Sequence, residues 1–199
     1  MATGINTKWV QERYEKMSNQ ELIQTVTQDA AGLTPEALEI VKAELKRRNL
    51  SHSLADALDV QNKTYTIQEI DKYCDAIREL DCPICNTSTS KLNATLTAEV
   101  VSIIVVTNFT KKIRIGCPGC LDNANTAAAA KSAVLGWWGF PWGIIRTIQA
   151  IVINLKNRKS NHMDTPNDYL RSFALSRIGE LEAYKGDKAK LRRVIENGL

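Results

Sequence analysis

The sequence predicts an α+β fold: helical N- and C-terminal regions flank a small antiparallel zinc-ribbon sheet, with a tryptophan-rich helical hairpin between sheet and tail. Three observations carry this prediction. Helix capping patterns and helical periodicity fill the front of the chain, and helical spacing returns after Thr165-Pro166. A β-branched stretch of period two lies in the middle. Two Cys-x-x-Cys pairs bracket that stretch.

Residues 1–50 read as a helical hairpin. Ser18 and Glu21 form a capping-box pattern ahead of Leu22, Ile23 and Val26. Ala30-Ala31-Gly32-Leu33 breaks that helix. Thr34 and Pro35 then supply a capping hydroxyl and a proline at the first helical position. Leu38, Val41 and Leu45 follow at helical spacing, and Lys46, Arg47 and Arg48 suit the negative end of the helix dipole. Residues 51–81 read as a linker and a helix, with 51–64 expected as a loop holding a turn of helix. Thr66 and Glu69 form a second capping box. Ile67, Ile70, Cys74 and Ile77 mark one helical face, which points Cys74 inward as a small buried thiol.

Residues 82–122 carry the ribbon. Leu92, Ala94 and Leu96 alternate with polar residues, as in a half-buried strand. Val100 to Val106 is nearly continuous and reads as a strand buried on both faces. Asn108 to Thr110 reads as a turn, and Ile113 and Ile115 alternate into Cys117. The expectation is a three-stranded sheet ending at the second cysteine pair.

Cys82-Pro83-Ile84-Cys85 and Cys117-Pro118-Gly119-Cys120 together offer four thiolates, the set that a structural Zn2+ ion takes in a closed tetrahedron. The separation of the pairs, residues 86–116, is longer than usual, and the excess costs only about 0.5 kcal/mol of closure entropy. Proline second in each pair pre-sets the turn, and Gly119 is expected to permit a tight backbone. Asn86 and Leu121 stand where a glycine often follows. A rubredoxin-like iron site shares the ligand set, and a dithiol redox site would leave the second pair unexplained.

The charge is divided along the chain. Residues 1–81 hold 10 Lys+Arg against 14 Asp+Glu, a net of −4, whereas residues 82–143 net +3 and residues 144–199 net +5. An anionic partner would meet the second half. The first 17 residues lack the apolar core of an export signal, so a reducing, cytoplasmic compartment is the expectation. His52 and His162 stand apart without partners at ligand spacing. No phosphate loop or nucleophile elbow occurs, and a closed four-thiolate ion has no open position for catalysis. These features argue against an enzyme.

Three of the four tryptophans lie in Gly136-Trp137-Trp138-Gly139-Phe140-Pro141-Trp142-Gly143, followed by Arg146. The apolar run is too short and too broken to span a bilayer. It forms a helix–break–helix hairpin over 123–160 and either buries its indoles in the core or rests at a membrane interface. In the second case Trp137, Trp138, Phe140, Trp142 and Arg146 make the membrane or partner contact, with Lys156, Arg158 and Lys159 close behind. Residues 161–199 return to helix through Leu170, Phe173, Ala174 and Ile178, with a last short helix through Leu191, Val194 and Ile195.

On the Met17–Leu50 hairpin, the cysteine pairs and the Gly-Trp-Trp-Gly-x-Pro-Trp-Gly motif, the chain resembles a loose set of uncharacterised bacterial proteins. That resemblance implies an assembly of these parts and brings no activity, substrate or site residue. The reading that follows is a non-enzymatic zinc-ribbon interaction or adaptor protein, peripheral at the cytoplasmic face of a membrane, with an unknown protein partner and an anionic membrane surface as candidate contacts. One alternative is a nucleic-acid-binding ribbon using Lys111, Lys112 and Arg114 near the ribbon turn. Another is a soluble scaffold for one protein partner.

Overall fold

The capping chemistry read from the sequence is in place. In the computed structural model, which describes residues 7–103 and 106–198, five helices precede the sheet: α1 (Thr7–Lys16), α2 (Asn19–Gln28), α3 (Pro35–Arg47), α4 (His52–Gln61) and α5 (Ile67–Arg78). Ser18 with Glu21 and Thr66 with Glu69 each close a reciprocal capping box, and Thr34 caps α3 with Pro35 at its start. Cys74 is fully buried on the inner face of α5, and burial pushes its thiol up to about 12.

The expected loop at 51–64 is instead mostly helix. Leu54, Ala57 and Leu58 form an apolar triplet at helical spacing inside a polar segment, and all three are buried. The end of α4 is also tied down. Gln61 Nε2 donates to the Val26 carbonyl (2.6 Å) and Asn62 Nδ2 to the Ala30 carbonyl (3.1 Å). The apolar faces of α2, α3 and α4 meet in one cluster that includes Tyr14 of α1.

Arg48 latches this front block. Its guanidinium donates to the carbonyls of Met17 (2.6 Å) and Tyr14 (2.9 Å), between α1 and α2. Glu44, with a side chain only 6% exposed, holds both Arg47 and Arg48.

The sheet has two strands, β1 (Asn93–Ile103) and β2 (Val106–Gly116), paired antiparallel from Asn93↔Gly116 to Ile103↔Val106. This corrects the three-stranded expectation. The first two expected strands are one strand, running without a break through Thr97-Ala98-Glu99. The expected turn at Asn108–Thr110 lies inside β2, opposite Glu99 to Val101. The connection falls at 104–105, outside the described residues. Nor is the Val100–Val106 run buried on both faces, since Ile103 and Val106 are exposed at its tip.

Five helices follow: α6 (Pro118–Leu135), α7 (Trp142–Asn161), α8 (Asp168–Ser176), α9 (Ile178–Ala183) and α10 (Lys188–Asn197). A second core joins α5 to the tail through Ile77, Leu170, Phe173 and Ile195, and it takes in Leu92 and Ile115 at the base of the strands. The tail helices therefore close over α5 and the hairpin base, while α9 packs on α4.

β1 is flanked by α6 and α7, and its outer edge is satisfied by their side chains. Asn154 accepts from the Ala98 N–H (3.1 Å) and donates to the Ala98 carbonyl (2.7 Å), as a neighbouring strand would. Ser132 accepts from the Val100 N–H (3.0 Å), and Asn157 donates to the Leu96 carbonyl (2.8 Å). Lower down, Asn167 donates to the Ala94 carbonyl (2.6 Å). Thr95, Asn125 and Asn161 continue the buried network.

Two predictions follow from these contacts. Arg47, and then Arg48, hold the Glu44 carboxyl at about 2 against the opposing effect of burial. A depressed carboxyl adds stability above its unfolded value of about 4.3 and loses it as pH falls toward the folded value. Glu44→Gln is therefore less stable than the parent at pH 7, and the gap in melting temperature closes between about pH 4.5 and pH 2. Asn154→Ala strands two buried backbone groups and costs about 2–4 kcal/mol by urea denaturation. Ile148→Ala, on the exposed face of the same helix, changes stability by less than about 0.5 kcal/mol.

Candidate metal centre and tryptophan tip

The strands deliver the second cysteine pair to the first. Asn93 opposite Gly116 places Cys117 beside Cys82, and the Leu92 N–H is held by the Arg78 carbonyl at the end of α5. A side chain at Gly116 would press on Ile84 and approach Cys82 Sγ, so glycine leaves room for the first knuckle. The four Sγ atoms of Cys82, Cys85, Cys117 and Cys120 lie within 4.8 Å of one another. Cys85 and Cys117 are 3.7 Å apart, and all four thiols are free of disulfides. Bonds of about 2.3 Å to a tetrahedral ion put sulfurs about 3.8 Å apart, so the cluster has the size for a metal bound by four thiolates.

The two knuckles are built differently. Cys82 to Asn86 form a turn closed by Asn86 N–H to the Cys82 carbonyl (2.8 Å). Asn86 takes the left-handed backbone there (φ 57°), which asparagine tolerates. The side chain of Arg192 on α10 donates to Asn86 Oδ1 and clamps the turn. Cys117 instead caps α6, with Pro118 at its first position. Gly119 and Leu121 are therefore ordinary helical residues. This corrects the expectation of a tight glycine turn, and the left-handed conformation that would strain Leu121 never arises. Leu121 is buried, as a helix residue facing the sheet should be.

Electrostatics favour a cation in the cluster. Burial first, then the neighbouring sulfurs, push Cys120 up, and burial also raises Cys117. Cys85 goes the other way. It is exposed, and the hydroxyl and backbone amide of Thr87 lower it to about 6. The Cys117 N–H donates to Cys82 Sγ (3.3 Å), which is a contact suited to a thiolate. Four crowded thiolates need a positive centre between them.

The far end of the hairpin carries the tryptophans. From the cysteines to the β1–β2 connection, eleven residues per strand span about 34 Å. α6 and α7 fold back beside each other along that length. Gly136, Gly139 and Gly143 sit where α6, α7 and the strand tip converge. A Cβ on Gly139 would collide with Thr107 and Ser102, and one on Gly143 with the Gly136 carbonyl and Ser102. The tryptophan motif is thus a close-packing motif whose aromatic rings point away. Trp138 is 72%, Phe140 84% and Trp142 63% exposed, with Trp137 less so. The indoles of Trp137 and Trp138 donate to carbonyls at the end of α6, not to core groups. This overturns the buried-indole alternative.

Ile144, Ile145 and Ile148 continue the exposed apolar surface up α7, and Val152 and Leu155 extend it. The inner face of α7 is the reverse: Gly143, Thr147, Ala150, Asn154, Asn157 and Asn161. The inner stripe of asparagines went unrecognised in the sequence, although its spacing of three to four residues was there to read. Among the described residues no helix is long and apolar enough to cross a membrane.

The remaining candidates separate. Lys111 lies over the Phe109 ring on the α7 side, whereas strand alternation sends Lys112 and Arg114 to the opposite face. The three basic residues therefore do not form one patch, and they sit along β2 and not at its turn. Lys156, Arg158 and Lys159 lie about 20 Å or more along α7 from Trp142, so they are not close behind the tryptophans. His52 opens α4. His162 is not partnerless: it caps α7 and meets Asp122 at 2.9 Å.

If the cluster holds its ion, a strong chelator should lower the melting temperature by more than about 10 °C. Elemental analysis of the untreated protein should find one metal per chain. Cys82→Ser, at the buried sulfur, should cost more than Cys85→Ser at the exposed one. A metal-free protein with an unchanged melting curve would show that the four thiols serve another purpose.

No protein-family model matches the chain, and comparison with curated proteins and with solved structures finds no match.

Proposed function

We propose that the protein is a non-enzymatic adaptor held together by a structural zinc ion, and that it docks on the cytoplasmic face of a membrane through its tryptophan tip. The observation that carries this reading is the inverted residue distribution at the tip. Asparagine, serine and threonine fill the space between helices and strand, while tryptophan, phenylalanine and isoleucine face outward. A contiguous apolar surface of this kind marks a contact with a partner or a membrane.

The composition of the tip favours a bilayer interface. Tryptophan gathers at headgroup level. The break between α6 and α7 leaves backbone groups that cannot be placed in hydrocarbon without cost, which suits shallow insertion. Zinc is favoured over iron as an ion without redox chemistry that accepts four thiolates as a closed structural site. A reducing compartment keeps those thiols available. The acidic front block, at the other end of the charge gradient, would face away from an anionic surface and remain open to a protein partner.

The test is co-sedimentation with liposomes. The parent protein should pellet with vesicles, and its tryptophan emission should shift to the blue. Trp138→Ala combined with Phe140→Ala and Trp142→Ala should stay in the supernatant. Because these side chains are exposed, the triple variant should keep its metal and melt within about 2 °C of the parent. A parent that never pellets would remove the membrane reading.

A further inference from the structure

Beside the tip is an open cleft of about 550 Å³ lined by Thr107, Phe109, Trp142 and Arg146. The Arg146 guanidinium lies over the Phe109 ring at 5.2 Å, and the Lys111 ammonium lies over the same ring at 5.3 Å. Both are within the range of a cation–π contact. One aromatic ring therefore contacts two positive charges, of which Arg146 lines the cleft.

Neither charge is neutralised. Arg146 donates to the neutral side chain of Gln149 (2.9 Å), and neither cation forms an ion pair among the described residues. Residues 93–161 contain eight Lys+Arg and only two Asp+Glu, a net of +6. Both acids are occupied elsewhere, Glu99 by Lys131 and Asp122 by Arg158 and His162. The cleft has an aromatic wall, a threonine hydroxyl and the Arg146 guanidinium without a counter-ion, with the Lys111 ammonium against the same ring, which is the chemistry that binds a phosphate.

The cleft also lies at the right depth. Phe109 is three residues from Val106, about 10 Å along β2, and Arg146 is four residues from Trp142, about 6 Å along α7. Interfacial elements bury their apolar face about 5–10 Å below the headgroups. A tip inserted that far carries Phe109 and Arg146 to the level of the lipid phosphates, with Lys111 two residues farther from the bilayer. We infer that the cleft between Thr107, Phe109, Trp142 and Arg146 is a binding site for the phosphate of an anionic phospholipid headgroup, so that the docked protein selects anionic over neutral lipid. This inference rests on the membrane reading above.

The experiment compares three proteins on two kinds of vesicle. The parent, Arg146→Gln and Phe109→Leu are sedimented with pure phosphatidylcholine vesicles and with vesicles containing phosphatidylglycerol. The parent should bind the second kind about tenfold tighter. Arg146→Gln should bind phosphatidylcholine as the parent does and lose most of the gain. Phe109→Leu is decisive because it leaves the net charge unchanged. It removes the ring that positions both cations and should lose most of the same gain, with metal content and melting temperature preserved. Full retention of the gain by Phe109→Leu would show diffuse attraction and no built site. Millimolar glycerol phosphate, a soluble headgroup analogue, should cancel the parent's gain on phosphatidylglycerol, whereas binding of glycerol phosphate by a parent that shows no such gain would assign the cleft to a free phosphate and overturn the lipid assignment. Equal binding of the parent to both vesicles would overturn this inference alone, whereas binding to neither would overturn the membrane reading with it.

Discussion

The outer edge of β1 presents a row of backbone N–H and C=O groups that must find partners away from water. In most sheets another strand supplies them. Here side chains do, chiefly Asn154, Asn157 and Ser132, reaching from α6 and α7. A buried backbone group left without a partner costs about 1–3 kcal/mol, so the stripe of asparagines is required wherever the helices meet the strand. Much of the rest of the molecule follows from this requirement. A helix that turns asparagine and threonine inward has only its outer face left for isoleucine and valine. The apolar surface of α7 is thus a consequence of how the sheet edge is satisfied. Above the asparagines, where Ser102 and Thr107 meet the helix break, the three glycines allow backbones to touch and the aromatic rings have no interior to enter.

The cysteine cluster acts at the opposite end of the same unit. It brings the turn after α5 beside the start of α6, at the base of the strand pair. Cys82 is buried in that core with Leu92 and Ile115, while Cys85 is open to solvent. Arg192 reaches from the last helix to the first knuckle. The tail is therefore coupled to the cluster, and loss of the cluster would loosen α10 as well as the hairpin base. This separates a polar-cored helix–strand unit, with the cysteine cluster at its base, from a tip whose aromatic side chains are exposed.

The distribution of charge matches that division. The acidic excess lies in the front helices, where Glu44 is occupied by the Arg47 and Arg48 latch. The basic excess lies on the helix–strand unit, where two acids serve eight Lys and Arg. Cation–π contacts with Phe109 hold two of those basic groups, Arg146 near the tip and Lys111 farther along β2, without neutralising them.

Local chemistry was legible in the sequence wherever it involved near neighbours in the chain. The capping boxes at Ser18 and Thr66, the Thr34-Pro35 start, the inward Cys74 and the two cysteine pairs each depend on residues a few positions apart, and their energetics are settled locally. Strand content was legible too, but not the number of strands. Whether Thr97-Ala98-Glu99 interrupts a strand depends on what lies across from it, and Lys111, Lys112 and Thr110 lie there only once the hairpin has closed. The buried triplet of α4 was masked by polar neighbours, because its partner α9 is more than a hundred residues away. The direction of the tryptophans was the least legible. An apolar segment with a break fits a core or an interface equally well by composition. Only the tertiary structure decided, because the inner face of α7 was already claimed by the hydrogen-bonding demand of the β1 edge, and a helix can turn only one face inward.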